Sequence, residues 1–117
     1  MIYSVGSIFL DHIIKINSFP KKPVKVLAQG IEKRLGGSAA VASFTIKKLG
    51  INTSFIGRFG DDDVSKILKE ELKKFKINFK DSVIIKKAQS SQSYVYEDKD
   101  GERLLAAFNE TLREIYG

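Results

Sequence analysis

Short apolar runs in the first quarter of the chain predict strands. Residues 1–5 are mostly apolar and are closed by Gly6, which favours a short buried strand over a helix. Residues 14–16 alternate in polarity, as a half-exposed strand does. Both prolines lie in residues 19–23 and predict a turn there, because proline donates no ladder hydrogen bond. Residues 24–28 alternate again, so the two alternating segments are predicted to pair as a hairpin-like flap.

A first helix is predicted after two consecutive glycines. Gly36, Gly37 and Ser38 open a helical stretch that runs to Leu49, with Ser38 as the expected N-cap. Gly50 stands where a residue in the left-handed conformation commonly ends a helix. The run of small and apolar residues in this stretch predicts a helix that is buried on several sides.

A second helix is predicted to begin at the three aspartates of residues 61–63. Lysines near its last turn and acidic residues in its first turn complement the helix dipole. Adjacent carboxylates could bind a cation, but at a helix start they are more typical of a cap. Its apolar residues recur at helical spacing and form one stripe: Val64, Ile67, Leu68, Leu72 and Phe75.

The remaining apolar segments predict further strands at residues 53–57, 83–85, 93–96 and 104–108. The last two are joined by the turn at residues 98–101, which predicts a hairpin. Asn109 is predicted to cap a short terminal helix. Strands that alternate with helices of this length indicate an α/β fold built on a parallel sheet.

Composition narrows the classes of function. The 117 residues allow one domain, and 20 basic against 14 acidic residues give a net charge of +6. With no cysteine and one histidine, a disulfide scaffold, a thiolate metal site and a cysteine nucleophile are excluded, and a zinc site is disfavoured. The lysines are scattered among acidic and apolar residues and only four residues are arginine, so nucleic-acid binding is not expected.

The first residues do not resemble a signal peptide, and no apolar run approaches the length of a membrane span. We therefore predict a soluble, cytoplasmic protein that does not bind membranes.

The glycine pair before the first helix is the first chemical motif. Glycines there allow close approach to the backbone, and free amides at a helix start can donate to a hydroxyl or an anion. On its own the motif more often serves packing or a turn. It is neither a Walker motif nor the dinucleotide-binding fingerprint, because the required lysine and spacing are absent.

Several short motifs follow one another along the whole chain. They are Gly6-Ser7-Ile8, Asp11-His12-Ile13, Phe19-Pro20, Gly36-Gly37-Ser38-Ala39-Ala40, Leu49-Gly50, Gly60-Asp61-Asp62 and Asp98-Lys99-Asp100-Gly101-Glu102-Arg103. In order and spacing these landmarks resemble the N-terminal half of the ribokinase (PfkB) family of carbohydrate kinases, and the resemblance covers essentially the whole chain. It implies a ribokinase-like α/β fold: a partial Rossmann-like parallel sheet with flanking helices, plus a small β lid. We expect residues 1–117 to form a single, incomplete domain, with lid strands at about residues 12–35 and 92–108.

The resemblance implies ATP-dependent phosphorylation of a sugar-like hydroxyl and identifies substrate-binding residues. Asp11 matches the family's acid that accepts hydrogen bonds from sugar hydroxyls, and Gly36 and Gly37 match the glycines that lie against the sugar. Arg103 resembles a lid arginine that reaches the substrate in some members. Val41 stands where many members have a sugar-binding asparagine, and since valine makes no side-chain hydrogen bond, this argues against ribose as the substrate.

The family's catalytic Gly-Ala-Gly-Asp motif is absent from these residues. We therefore assign no catalytic residue and no metal ligand to this chain. ATP and Mg²⁺ are implied for the complete family enzyme, and this chain alone is expected to bind neither and to be inactive. The alternative is a non-catalytic sugar-binding or protein-interaction module derived from the same fold. An uncovered sheet edge would favour a homo-oligomer, or a partner that supplies the missing C-terminal half.

Overall fold

The computed structural model describes residues 1–108. Its elements alternate between strands and helices, as the sequence pattern predicts, whereas the helix predicted at Asn109 lies outside the described residues. In chain order they are β1 (Ile2–Val5), β2 (Phe9–Lys15), β3 (Gly30–Gly36), α1 (Ser38–Lys48), β4 (Thr53–Ile56), β5 (Arg58–Phe59), α2 (Asp63–Lys74), β6 (Val83–Ile84), β7 (Gln92–Glu97) and β8 (Arg103–Phe108).

The strands form three sheets within this part of the chain. β1 pairs in parallel with β4, and β5 pairs in parallel with β6. The third sheet has four strands in the order β3-β2-β7-β8, with β2 parallel to β7 and the two outer pairs antiparallel. Residues 12–35 and 92–108 therefore contribute strands to a single sheet. The hairpin predicted between the last two strands is confirmed by the β7–β8 pairing.

A core of nine buried residues joins α1 and α2 to the strands. The alanines of α1 are small enough to bring its backbone close to β1 and β4, and the aromatic rings of Phe55 and Phe59 meet edge to face at 6.1 Å. The stripe predicted for α2 supplies two leucines to this core. Its members are Ile8, Leu10, Ala39, Ala40, Phe55, Phe59, Leu68, Leu72 and Ile77.

The prediction of a strand at residues 24–28 is wrong, because the structure has no strand there. The partner of β2 is β3, which runs from Lys15↔Gly30 to Phe9↔Gly36 in antiparallel register. Alternation at residues 24–28 describes a possible strand but contains no information about its partner. The ladder instead uses residues 30–36, which carry three consecutive charged residues instead of an alternating pattern and end at the glycines that precede α1. The flap therefore exists as the β2–β3 pair, but its second strand lies later in the chain than predicted.

Two further details of the prediction are corrected. The strand predicted at residues 1–5 is present, but of its four residues in β1 only Ser4 is buried. The N-cap of α1 is Gly37 rather than Ser38, which is already helical. The hydroxyl of Ser7 takes over the capping role, because its Oγ accepts a hydrogen bond from the backbone N–H of Ser38 at 3.1 Å.

Two expectations for the helix ends hold, whereas the buried residues of α1, Ala39, Ala40 and Ser43, lie on one face and not on several sides as predicted. Gly50 follows α1 with a φ of 81°, the left-handed conformation predicted for a helix end. Asp62 is the N-cap of α2, and its carboxylate accepts from the backbone N–H of Ser65 at 3.1 Å, so this aspartate acts as a cap. Neither helix of residues 1–108 is long and apolar enough to cross a membrane.

Candidate functional site

The carboxylate of Asp11 lies directly over the backbone of Gly36. Asp11 is in the middle of β2, and Gly36 ends the neighbouring strand β3. A Cβ atom built on Gly36 would lie 2.7 Å from Cγ and 3.0 Å from Oδ1 of Asp11, so any side chain there would displace the carboxylate. The glycine therefore fixes where the charge of Asp11 can sit.

Ser93 holds the same carboxylate from the other neighbouring strand. Ser93 is the register partner of Asp11 in the parallel β2–β7 pair, which places both side chains on one face of the sheet. Its buried hydroxyl donates to Oδ1 of Asp11 at 2.6 Å. A carboxylate can accept about four hydrogen bonds, so Asp11 keeps acceptor capacity for further donors.

Gly37 makes a tight turn from β3 into α1. Its φ of 94° is in the region that favours glycine, and a Cβ there would lie 2.6 Å from the carbonyl oxygen of Ser7. The backbone N–H of Ala40 donates to that same oxygen at 3.2 Å. The start of α1 is thus packed against the connection between β1 and β2, next to the end of β2 that leads to Asp11.

The other two predicted site residues differ in their relation to this group. Val41 is in the first turn of α1, where its backbone N–H donates to the carbonyl oxygen of Gly37 at 2.9 Å and its side chain is half exposed. Arg103 donates through Nε to Oε2 of Glu97 at 2.8 Å and forms an ion pair with it. The register partner of Ser93 on β8 is Ala107, and Arg103 is four residues from Ala107, about 13 Å along the strand. The structure therefore brings together Asp11, Gly36 and Gly37, but not Arg103.

A second charged pair lies beside Asp11 on the same face. Arg34 is the register partner of Asp11 across β2 and β3, yet its Nε and Nη2 donate to Oε1 and Oε2 of Glu32 at 3.0 and 2.9 Å. These hydrogen bonds, together with the charge of Arg34 and a smaller effect of Lys15, hold the pKa of Glu32 below its ordinary value. The same hydrogen bonds and the charge of Glu32 raise the pKa of Arg34.

The opposite face of the four-stranded sheet has a different character. There the ring of His12 stacks on Tyr94 with centroids 4.5 Å apart and planes 9° from parallel. Its Nε2 lies 2.9 Å from Oε1 of Gln92, so the histidine has a structural role on that face. Asp11 and His12 are consecutive residues of a strand and therefore serve different surfaces.

Sequence reasoning identified neither Glu32 nor Arg34 as part of the site. It interpreted Ser93 as a strand-edge or turn residue that could lie near the sugar. Their relation to Asp11 depends on the strand register, which pairs Asp11 with Ser93 on one side and Arg34 on the other. Glu32 and Arg34 are two positions apart, and this spacing is the sequence signal that could have placed them on one face of a strand.

The chain is similar to a known family of enzymes over its full length. A family model described as pfkB family carbohydrate kinase matches residues 1–117. Nucleoside kinase of Methanocaldococcus jannaschii is 27% identical over 100 residues, which cover 86% of this chain and 33% of that protein. Its crystal structure matches this fold with a TM-score of 0.80 and 26% identity, over 92% of this chain and 36% of that one.

Two further relatives differ in the compounds for which they are named. Probable fructokinase-5 of Arabidopsis thaliana is 33% identical over 105 residues, 88% of this chain and 31% of that protein. ATP-dependent ribose-1-phosphate kinase of Halopiger xanaduensis is 24% identical over 101 residues, 86% of this chain and 34% of that protein. The chain thus spans about a third of the length of the curated relatives it matches. The ribokinase-like α/β fold expected from the sequence is confirmed by these likenesses.

Proposed function

Since the chain belongs to the pfkB family of carbohydrate kinases, we propose that its four-stranded sheet binds the acceptor hydroxyl compound of an ATP-dependent phosphoryl transfer. The acceptor is a sugar or a compound that contains one. The observation that carries this proposal is the carboxylate of Asp11, held by the hydroxyl of Ser93 over the bare backbone of Gly36.

The chemistry of this group suits a polyhydroxylated ligand. An ionised carboxylate accepts hydrogen bonds from two neighbouring hydroxyls, and such charge-assisted bonds are stronger than bonds between neutral groups. Because Ser93 already restrains Asp11, the carboxylate loses little rotational freedom when it binds. Gly36 and Gly37 carry no side chains, so the ring of a sugar can approach the backbone. Val41 offers an apolar surface and no hydrogen bond.

The residues of this chain do not fit the binding of the phosphoryl donor. The family resemblance implies ATP and Mg²⁺, but residues 1–108 contain no group of three or more His, Cys, Asp or Glu side chains that could hold a metal ion. The 117 residues also contain no Gly-Ala-Gly-Asp sequence. We assign nucleotide binding and the catalytic base to the part of the family fold that these residues do not include. These residues by themselves then bind the acceptor without phosphorylating it.

The four-stranded sheet is proposed to act as a lid over the acceptor. Asp11, Ser93 and Arg103 all lie on one face of that sheet. Arg103 is paired with Glu97 in this conformation, so a role for Arg103 in substrate binding requires that this exposed pair open. We further propose that the protein is cytoplasmic and does not bind nucleic acid, because its lysines are interspersed with acidic residues.

A titration followed by NMR tests acceptor binding directly. D-Fructose, D-ribose and adenosine are added to the purified chain, and the backbone amide signals of Asp11, Gly36 and Ser93 are followed. We expect one of the three compounds to shift these signals together. Asp11→Asn should weaken that binding by about tenfold or more, since it removes the charge from the hydrogen bonds.

The exposed Asp81 provides a matched control, and Asp81→Asn should leave the affinity unchanged. A coupled assay for ADP should show no sugar-dependent turnover of ATP by the chain alone. Failure of all three compounds to shift the three signals would contradict the acceptor site. Sugar-dependent ATP turnover by these residues would contradict the division of the reaction between two parts of the fold.

A further inference from the structure

An ion pair next to Asp11 determines the charge that the proposed acceptor meets. Arg34 and Asp11 are register partners on β3 and β2, so their side chains start from the same face with Cβ atoms about 4.5–5.5 Å apart. The guanidinium of Arg34 nevertheless bonds Glu32, two residues earlier on its own strand. Asp11 instead bonds Ser93. Asp11 and Arg34 thus carry opposite charges on neighbouring strands, but each forms hydrogen bonds with a different residue.

The pairing occupies one of the two edges by which Arg34 can bind an anion. A guanidinium binds phosphate or carboxylate through two parallel N–H donors, and here Glu32 occupies Nε and Nη2 in that way. The carboxylate also neutralises the charge of Arg34, which weakens the attraction of the arginine for an anionic substituent. Glu32 is exposed on β3, which leaves its carboxylate as a second negative charge close to the site.

Asp11, Glu32 and Arg34 together carry an excess of one negative charge. Two carboxylates, Asp11 and Glu32, flank the single guanidinium of Arg34. Lys15 is the next cation on this face of β2, but it is four residues beyond Asp11, at the other end of the strand. A phosphorylated acceptor bound at Asp11 would meet this excess, whereas a neutral acceptor would not.

Family membership leaves the charge of the acceptor open. The relatives of this chain include proteins named for fructose and for ribose 1-phosphate. A residue-level feature must therefore distinguish neutral from anionic acceptors in each protein.

We infer that the Glu32–Arg34 pair is a specificity determinant that makes this face favour neutral acceptors over phosphorylated ones. Glu32 disfavours the anion in two ways, by its own charge and by occupying the Nε and Nη2 donors of Arg34. The inference rests on the acceptor site proposed above. It adds that a change at Glu32 alone converts Arg34 into a binding residue for phosphate.

The test compares D-fructose, D-fructose 6-phosphate and inorganic phosphate as ligands of the purified chain. Affinities are measured by NMR, with the Nε–H signal of Arg34 as the direct readout for the anion. For the wild type we expect D-fructose to bind more tightly than D-fructose 6-phosphate. Glu32→Gln should shift that preference toward the phosphorylated sugar by about threefold to fivefold. Adding Arg34→Gln to this variant should abolish the shift.

Matched controls separate this effect from a general change of charge. Lys33→Gln removes a positive charge from the opposite face of the same strand, and Glu70→Gln removes a negative charge from an exposed position of α2. Neither should change the preference between the two sugars. Glu32 and Arg34 are both exposed, so their variants should keep the amide spectrum of the folded chain.

Inorganic phosphate separates failure of this inference from failure of the acceptor site. In Glu32→Gln, phosphate should shift the Nε–H signal of Arg34, and in the wild type at the same concentration it should not. This result would support the role of Glu32 even if no sugar shifted the signals of Asp11, an outcome that would contradict the acceptor site alone. An equal response to phosphate in the wild type and in Glu32→Gln would overturn the inference.

Discussion

The carboxylate of Asp11 fills the space that a side chain at Gly36 would need. A Cβ on Gly36 would lie 2.7 Å from Cγ of Asp11, although the two residues belong to different strands and are 25 positions apart in the sequence. The glycine is thus required by the position of the aspartate, not by its own backbone conformation. This relation links the sequence motif before α1 to the proposed hydroxyl-binding group.

Gly36→Ala tests that relation. The new methyl group should push the carboxylate of Asp11 away from its position, because the nearest atoms all belong to that side chain. We expect sugar affinity to fall by about tenfold, with a loss of stability of about 1 kcal/mol or less, since a half-buried side chain can rotate. Isothermal titration and thermal unfolding measure the two effects.

The matched control is Gly30→Ala, at the other end of the same strand. A Cβ on Gly30 has no atom within 4 Å, so this variant should change neither affinity nor stability appreciably. Equal sugar affinities for Gly36→Ala and the wild type would show that the position of Asp11 does not matter for binding.

Ser93→Ala tests the second restraint on Asp11. The hydroxyl that donates to Oδ1 is removed, so the carboxylate gains rotational freedom and loses a donor. We expect the sugar dissociation constant to rise by about fivefold, which is less than the loss of a direct hydrogen bond to a charged group would cause, because Ser93 contacts Asp11 and not the sugar. The measurement is the same titration, with Ser43→Ala as control. Ser43 is another fully buried serine, but its hydroxyl bonds Ala39 within α1. If the two variants bind sugar equally, Ser93 has no special role.

Local patterns were sufficient to predict the types of most elements, including α1, α2 and the β7–β8 hairpin. They failed at β3, because its three consecutive charged residues hide the period of a strand, while the alternation at residues 24–28 does not identify a partner. The register that selected residues 30–36 is also what places Arg34 opposite Asp11. The charged neighbours of Asp11 could therefore not be predicted without the sheet.

The part of the site that could be predicted came from the family resemblance. Asp11, Gly36 and Gly37 were identified by motif, and the structure places them together. Arg103 was identified in the same way, but an arginine on a hairpin can reach several partners, and here it pairs with Glu97. Sequence motifs thus located the backbone of the site better than the orientation of its long side chains.

The pH at which Glu32 becomes protonated reports directly on its ion pair with Arg34. Arg34 lowers the pKa of Glu32 in the folded chain, so the pair stabilises the fold at pH values above the unfolded pKa of Glu32. That contribution should disappear as the pH falls through the lower, folded pKa. A titration of the Glu32 side-chain carboxyl by ¹³C NMR should give a midpoint below that of an ordinary glutamate. In Arg34→Gln the midpoint should return toward the ordinary value, and an unchanged midpoint would contradict the pairing.

The face opposite Asp11 carries an apolar row that crosses all four strands. Ile31, Ile14, Tyr96 and Leu104 are successive register partners on β3, β2, β7 and β8. The outer two side chains are 71% and 59% exposed. A continuous apolar row on an exposed sheet face favours association with a second copy of the chain. We expect sedimentation equilibrium to show reversible self-association, as the sequence-based expectation of a homo-oligomer requires.

A charge in that row should oppose this association. Leu104→Lys should raise the dissociation constant between copies by about tenfold or more, because it places a charge in the apolar contact. Leu105 is the matched control: it is the next residue on β8, is 62% exposed, and faces the side of Asp11. Leu105→Lys should therefore leave self-association unchanged. A monomeric wild type, or equal effects of the two substitutions, would show that the apolar row is not a contact between copies.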